Sequence, residues 1–571
     1  MKPTLFGQDA AGVPVEVTPK ERLAHMHVIG SSGSGKSKFL EQLIRQDLKS
    51  GQGFCVIDPH GSLYKDVLDF ASYKVARQKI ILLDLSKPDF VIGFNPFRKA
   101  DDGDISVQVD RRISAIMHAW GVENTDQTPT LERTLSLIFT TLLELNLSFQ
   151  EAQYLVDFNA SEMRSKLVEQ LSSPLIRREW EELEQLKAKD WRSEVLSAKN
   201  RLYRLLTSKT LGRFFAAQAN PIDLAEIIES GKVLLVNLAP SDHLSTQNAR
   251  IFGSLLVNEF FEVALRRNAT NPKLKPYYLY LDEFQTFVGI DIADMLDQVR
   301  KFKLFTVLAH QRFGQVNENV KDAVLTNCKI KAVFGGLSVE VARMMALELC
   351  IGRLDPMQVK HEIYQTKFRP VYTRDKVYSR SISSGRSTGT GENESSGSAS
   401  ASMTGIFYTP DNGLISYLPE SASHSESTSS SSGSQHGHHS NQTDFDGFAE
   451  SEADVPMMRA EEFKELSSIQ YMSLEEQLVL LTAAIKEQPD QSCIVKIHSQ
   501  PARRVFVPFI KSHYIKQSSL AWYRTRLLGK GGAVSVEEVD AANNKEHEKW
   551  KTSVSEKSRA KGTDEAFWGR E

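Results

Sequence analysis

Eight consecutive residues carry the clearest chemistry in this chain. Gly30-Ser31-Ser32-Gly33-Ser34-Gly35-Lys36-Ser37 fits GxxxxGK[ST] in full. Glycines at these positions let successive backbone N–H groups wrap phosphate oxygens without a Cβ in the way, and a helix N-terminus behind them adds partial positive charge. Lys36 is expected to reach the β- and γ-phosphates of ATP, and the Ser37 hydroxyl to hold Mg²⁺. Such a loop needs an acid at the end of a neighbouring apolar strand. Tyr277-Tyr278-Leu279-Tyr280-Leu281-Asp282-Glu283 supplies two. Asp282 is expected to hold Mg²⁺ through water and Glu283 to polarise an attacking water. The alternative for the pair is an acid cluster at a helix start. Phe305 to Leu308 form a further apolar run, followed by Ala309-His310-Gln311. Gln311 is placed to contact a γ-phosphate and report its loss; His310 reads as structural.

These residues need strands and helices to hold them. His27-Val28-Ile29 is a short strand, and Phe39, Leu40, Leu43, Ile44 and Leu48 recur at helical spacing after the loop. Phe54–Ile57 and Ile80–Leu83 are unbroken apolar runs of the kind buried on both faces of a sheet. From Lys99 to Phe215 the strand signal gives way to helical periodicity, and strands return at Val233–Val236, Tyr277–Leu281, Phe305–Leu308 and Ile330–Phe334. Strands alternating with helices imply an α/β fold with a mostly parallel sheet. The expected organisation is a core in two parts (1–98 and 216–378) split by an all-helical insertion (99–215). A low-complexity segment (379–447), a small C-terminal α+β extension (448–535) and a charged tail (536–571) follow.

The low-complexity segment is rich in serine and glycine and reads first as a linker. However, serine falls on alternate positions at Ser379, Ser381 and Ser383, at Ser398, Ser400 and Ser402, and from Ser421 to Ser429. Period two is the strand period, and Tyr408-Thr409-Pro410-Asp411-Asn412-Gly413 between the later runs is a turn signal. A two-stranded arm with serine on one face is therefore the competing expectation, and a ring of such arms could build a polar collar.

Composition narrows the function classes. With 41% hydrophobic and 25% charged residues, 571 residues should form several packed units rather than a disordered chain. The formal charge of −3 means that any contact with nucleic acid must be local. Four cysteines without CxxC spacing argue against a zinc site or a disulfide framework. No apolar run approaches membrane-spanning length, so direct membrane insertion is not expected. Between Gln491 and Val536 there is no Asp or Glu, while Lys496, Arg503, Arg504, Lys511, Lys516, Arg524, Arg526 and Lys530 interleave with Tyr514, Trp522 and Tyr523. That pattern suits phosphates and exposed bases, or the acidic side of a neighbouring subunit. Lys199, Arg201, Arg204, Lys209 and Arg213 form a second basic stretch that reads as a solvated helix face. His436, His438 and His439 lack ligand-spaced partners, so no metal is expected there.

The set HVIGSSGSGKS, VIDPHG, GFNPF, SGKVLLVNL, YYLYLDEFQ and VRKFKLFTVLAHQ resembles the HerA/FtsK superfamily of DNA-pumping ATPases, and within it the TraG/TraD-type coupling ATPases of type IV secretion. The resemblance covers roughly 1–349 and, more weakly, 463–514. It implies a RecA-like P-loop core, a hexameric ring with ATP and Mg²⁺ between neighbours, DNA as substrate, and a relaxase, secretion-channel or nuclease partner. It also implies that Arg300, between Glu283 and Gln311, acts in trans as an arginine finger; the plain alternative is a solvated helix charge. With the loop starting at Gly30, neither the membrane helices of coupling proteins nor the N-terminal β-barrel of HerA is expected before it. The expected place is the cytoplasm, peripheral to a membrane through partners. The reading that follows is a ring-forming, ATP-driven DNA translocase of conjugative or mobile-element transfer. A translocase of repair or anti-phage defence and a nucleotide-switched scaffold are the alternatives.

Overall fold

The computed structural model describes residues 2–74, 79–99, 103–122, 128–216, 221–271, 273–388, 442–511, 515–545, 548 and 552. Two compact units emerge, Met1–Asp355 with Ser473–Glu571, and Pro356–Met472.

The strands of the first unit are β1 (Thr4–Gln8), β2 (Pro14–Val17), β3 (Met26–Ile29), β4 (Phe54–Asp58), β5 (Ile80–Asp84), β6 (Phe90–Val91), β7 (Val233–Asn237), β8 (Tyr277–Leu281), β9 (Leu304–His310) and β10 (Ile330–Phe334). The second unit holds β11 (Val359–Thr388) and β12 (Gln442–Tyr471); β13 (Ser492–Ile497), β14 (Arg503–Phe506) and β15 (Val534–Ser535) return to the first. One 11-stranded sheet runs β2-β1-β14-β13-β10-β3-β9-β8-β4-β7-β5. From β10 to β5 every neighbouring pair is parallel. From β10 outward through β13, β14, β1 and β2 every pair is antiparallel. The fold is α/β with a mostly parallel sheet.

Both faces of the parallel part are covered, which is why its strands read as continuous apolar runs. Alternate residues feed opposite cores: Cys55, Ile57, Leu234, Val236, Leu279 and Leu281 enter one, and Phe54, Val56, Val233, Leu235, Tyr278 and Tyr280 the other. Between residues 103 and 216 the described residues form helices, among them Ile105–Ala119, Pro129–Glu144 and Ala188–Leu206, and no strand. Pro129 and Pro174 open two of these helices at a position where their missing N–H costs nothing.

Two differences from the sequence reading concern the sheet's antiparallel edge. The segment expected as a separate extension at 448–535 is divided. Residues 448–471 lie in β12, while β13 joins the main sheet, with Phe334 opposite Cys493. β1 and β2, absent from the sequence reading, pair beyond β14, with Gln8 opposite Phe506. β2 exposes alternate residues and β14 three of its four, so neither shows the long apolar runs that mark the centre.

In the second unit, β11 and β12 pair antiparallel from Val359↔Tyr471 to Thr388↔Gln442, with register shifts only near Val359–Tyr364. Each strand has 30 residues, a length of roughly 100 Å at the strand rise. The pairing thus begins at Val359, inside the stretch expected to close the core at 378. Ser379, Ser381 and Ser383 hold alternate positions of β11. The later serine runs, the Tyr408–Gly413 turn signal and the three histidines lie outside the described residues.

Candidate nucleotide site

The phosphate loop connects β3 to the helix Lys36–Ser50, as its motif requires. Two of its glycines are sterically obligatory. A Cβ on Gly30 would sit 2.5 Å from the Phe334 Cβ. Gly35 has φ +104°, and a Cβ there would meet the Gln491 Cα at 2.9 Å. Neighbouring backbone fixes the loop from the side. Ser31 N–H donates to the Gly335 carbonyl at 3.2 Å, and Gln491 N–H to the Ser34 carbonyl at 3.0 Å. Ser34 Oγ donates to the Ser31 carbonyl at 2.8 Å. Ser32, Gly33 and Ser37 remain exposed at the mouth of the loop.

Beneath the loop, Lys36 is buried and its Nζ lies 2.7 Å from Glu283 Oε1 and 3.9 Å from Asp282 Oδ1. Gln311 Nε2 donates to the same Glu283 oxygen at 2.8 Å, and Gln285 Nε2 to the other at 2.8 Å. β3, β8 and β9 therefore bring Lys36, Asp282, Glu283 and Gln311 to one place, the C-terminal edge of the parallel strands. Glu283 has φ 48° and ψ 53°, a left-handed conformation that costs a non-glycine residue about 1–3 kcal/mol. The neighbouring Lys36, Gln285 and Gln311 hold it there.

The two acids differ electrostatically. Burial pushes the Asp282 carboxyl up to about 6; Lys36 opposes the shift, and Asp58 and Glu283 add to it. Burial also acts upward on Glu283, but Lys36 and the two glutamine amides outweigh it and hold its carboxyl below the usual range. Asp58, at the end of β4, accepts from His60 N–H and Tyr64 N–H, each at 2.8 Å, and thereby caps the helix Ser62–Lys74.

Behind Gln311, His310 Nε2 faces His27 Nε2 at 2.8 Å, and His310 Nδ1 faces the Arg312 carbonyl at 3.2 Å. Burial drives both imidazoles down, His310 to about 4, so both are neutral near pH 7. The network assigns the proton of His310 to Nδ1, which makes His27 Nε2 the donor between them. Phe284 and Phe313 pack against His310.

Arg300 does not join this group. It lies in the turn Arg300–Phe302 that precedes β9, at the N-terminal edge of the strands, and it is exposed. Seven residues of β9 separate that edge from the loop, roughly 20 Å of strand. Sequence reasoning missed Asp58, Gln285 and Gln491 as neighbours of the site. The VIDPHG and YLDEFQ stretches contain the first two; Gln491 carries no local signal, because its contact spans most of the chain.

The basic C-terminal stretch is heterogeneous. Arg524 pairs with Asp84 at 3.3 Å, and Lys496 donates to the Glu348 carbonyl at 2.8 Å. Arg503, Arg504, Lys511 and Lys516 are exposed, and Arg526 stacks on the exposed Trp522, 5.2 Å from its ring centre. Tyr523 is buried, and Tyr514 lies outside the described residues. In the second basic stretch Lys199 and Arg213 pair with Asp157 and Asp540, and Arg204 is exposed.

A complete phosphate loop above two acids and a glutamine, on a mostly parallel sheet, defines the class of P-loop nucleotide-handling proteins. Residues 5–259 match the family model described as the central domain of helicase HerA. The bacterial conjugative coupling protein TrwBΔN70 is similar in structure. Its unbound monoclinic form has 14% identity, with 90% of this chain and 91% of that one covered, at a TM-score of 0.50. Its trigonal form with sulphate gives 15%, 90%, 91% and 0.51. TrwB with ADP and Mg²⁺ aligns at 15% identity over the same shares with a TM-score of 0.49. The search of curated proteins finds no match. The chain thus resembles the HerA-type P-loop ATPases over residues 5–259 and shares its fold with the conjugative coupling protein. Among the described residues, no helix is long and apolar enough to cross a membrane.

Proposed function

We propose that this protein is an ATP-hydrolysing motor that moves DNA as a ring, in conjugative or mobile-element transfer. The observation that carries the reading is the Lys36–Glu283–Gln311 cluster, closed by contacts of 2.7 and 2.8 Å beneath the phosphate loop. A loop kept only for structure has no use for a buried lysine, a strained carboxylate and a glutamine aimed at one point.

Lys36 exchanges its bond to Glu283 for the β- and γ-phosphates when ATP enters. That exchange frees the Glu283 carboxylate to accept a proton from an attacking water. Gln311 and Gln285 keep the carboxylate oriented, and Gln311, just past the end of β9, follows the departure of the γ-phosphate. Ser37 and Asp282 fit Mg²⁺: they offer a hydroxyl and a carboxylate oxygen, the donors a hard cation takes, at the mouth of the loop and at the end of β8. Bound there, Mg²⁺ would neutralise charge on the transferring phosphoryl group.

Arg300 acts in trans in this reading. Its exposure and its distance from its own chain's loop leave it free for the site of a neighbour, and its planar, permanently charged fork suits a phosphoryl transition state. DNA is contacted through exposed basic and aromatic groups such as Arg503, Arg504 and Trp522. A hexamer is the proposed ring, a relaxase or secretion channel the proposed partner, and attachment to a membrane goes through such partners.

The match to the HerA central domain favours a second setting for the same motor, repair or anti-phage defence beside a nuclease. A co-purifying nuclease would select it. A scaffold that only switches with nucleotide is disfavoured by the complete hydrolytic set.

The test is phosphate release with and without single- and double-stranded DNA, together with particle mass in ATP. Stimulation by DNA in a multimer is expected. A lone subunit whose turnover ignores DNA would overturn the reading.

A further inference from the structure

Among the described residues no further strand pairs with either outer edge of the 30-residue ribbon of β11 and β12. A two-stranded ribbon is marginal in water by itself, and long open edges are templates for further strands. Each strand has a single proline, Pro370 or Pro456, so nearly every backbone donor that the β11–β12 ladder leaves facing outward is present.

The ribbon is two-faced. The register puts Tyr364, Phe368, Tyr372 and Tyr378 on one face with Leu466 and Met458 opposite, all exposed. Ion pairs lie on both faces: Arg369–Glu461 at 2.7 Å, Arg459–Asp375 at 3.1 Å and Lys367–Glu465 on the other face, and Lys376–Glu452 beside Tyr378 on the aromatic one. The strands also differ in sign. β11 carries seven Lys/Arg and two Asp/Glu, whereas β12 carries two and eight.

Taken together, these features select the neighbour. Two-fold pairing would set β11 against β11 or β12 against β12, like charge on like. Head-to-tail pairing sets the basic edge of one copy beside the acidic edge of the next and repeats without limit until it closes. It also keeps all aromatic faces on one side. We infer that the ribbons of neighbouring copies join edge to edge, β11 of one with β12 of the next, into a continuous collar whose aromatic rows share one side. Charge rather than serine spacing sets its order. The inference rests on the ring reading above and adds to it a second, nucleotide-independent seam.

The test uses full-length chains without nucleotide, with particle mass as the readout. One variant makes both strands acidic (K367E, R369E, R374E and K376E); another makes both basic (E452K, D454K, E461K and E465K). The wild type is expected to assemble, and each variant alone to lose at least tenfold of its assembled fraction. An equal mixture is expected to regain it, because acidic and basic ribbons can alternate. Either variant assembling alone like the wild type, or a mixture that stays dispersed, overturns the collar. ATP turnover of the wild type separates this from the motor reading. Assembly and rescue with no turnover would sink the motor and leave the collar standing; turnover in a wild-type ring without rescue would do the reverse.

Discussion

Charge is used in opposite ways in the phosphate-loop region and in the β11–β12 ribbon. Around Lys36 a few ionic groups are buried, each with several partners, so removing one strands the others without water. Along the ribbon many ionic groups are exposed, and each pair contributes little because solvent and salt screen it. Single substitutions should therefore be decisive in the first region, whereas only collective ones should matter in the second.

The largest effect is expected from Glu283→Gln. It keeps shape and nucleotide binding but removes the proton acceptor, so turnover should fall by about 10²–10⁴, read as phosphate release beside fluorescent-nucleotide binding. Undiminished turnover would move the base elsewhere. Lys36→Ala should in addition abolish nucleotide binding, and should unsettle the Glu283 backbone, whose φ of 48° has Lys36 among its restraints.

Gly35→Ala comes next. With φ +104° and Gln491 at 2.9 Å, the methyl group should lower stability by about 1–3 kcal/mol and weaken nucleotide binding more than a change at exposed Gly33. Equal effects at both positions would remove Gln491 as the wall of the loop.

A pH effect sharpens the same contrast. His25 and His310 are held by burial at about 4, below the ordinary value of about 6.5. The unfolded chain then binds protons first as pH falls. Stability should be full above about 6.5 and decline towards 4, on the order of 3 kcal/mol for His25 alone. Thermal melts across that range should show the slope, and His25→Gln should flatten it. The smallest effect is expected from Arg369→Ala, less than about 1 kcal/mol, and high salt should erase it.

The contiguous parts of the site were legible. The phosphate loop and the Asp282-Glu283 step are local patterns whose chemistry dictates their spacing. The parallel strands were legible because burial on both faces leaves unbroken apolar runs such as Phe54–Ile57. What escaped depends on distance or exposure. The left-handed turn at Glu283 leaves no mark in composition, and Gln491 reaches Ser34 only through the sheet. β1 and β2 are short strands at the sheet's margin, with glycine and proline among their residues. The ribbon was placed at 379–447 because serine alternates there; β11 begins earlier, where aromatic and charged residues alternate instead, from Tyr364 to Tyr378.

The closure of the antiparallel edge bears on biogenesis. β1 finds its neighbour β14, and the loop at Ser34 finds its wall at Gln491, only after nearly the whole polypeptide has left the ribosome. Contacts of such sequence separation form slowly. A chain released only as far as β10 is therefore expected to hold the motif without the Gln491 wall, so the loop is expected to order late in synthesis.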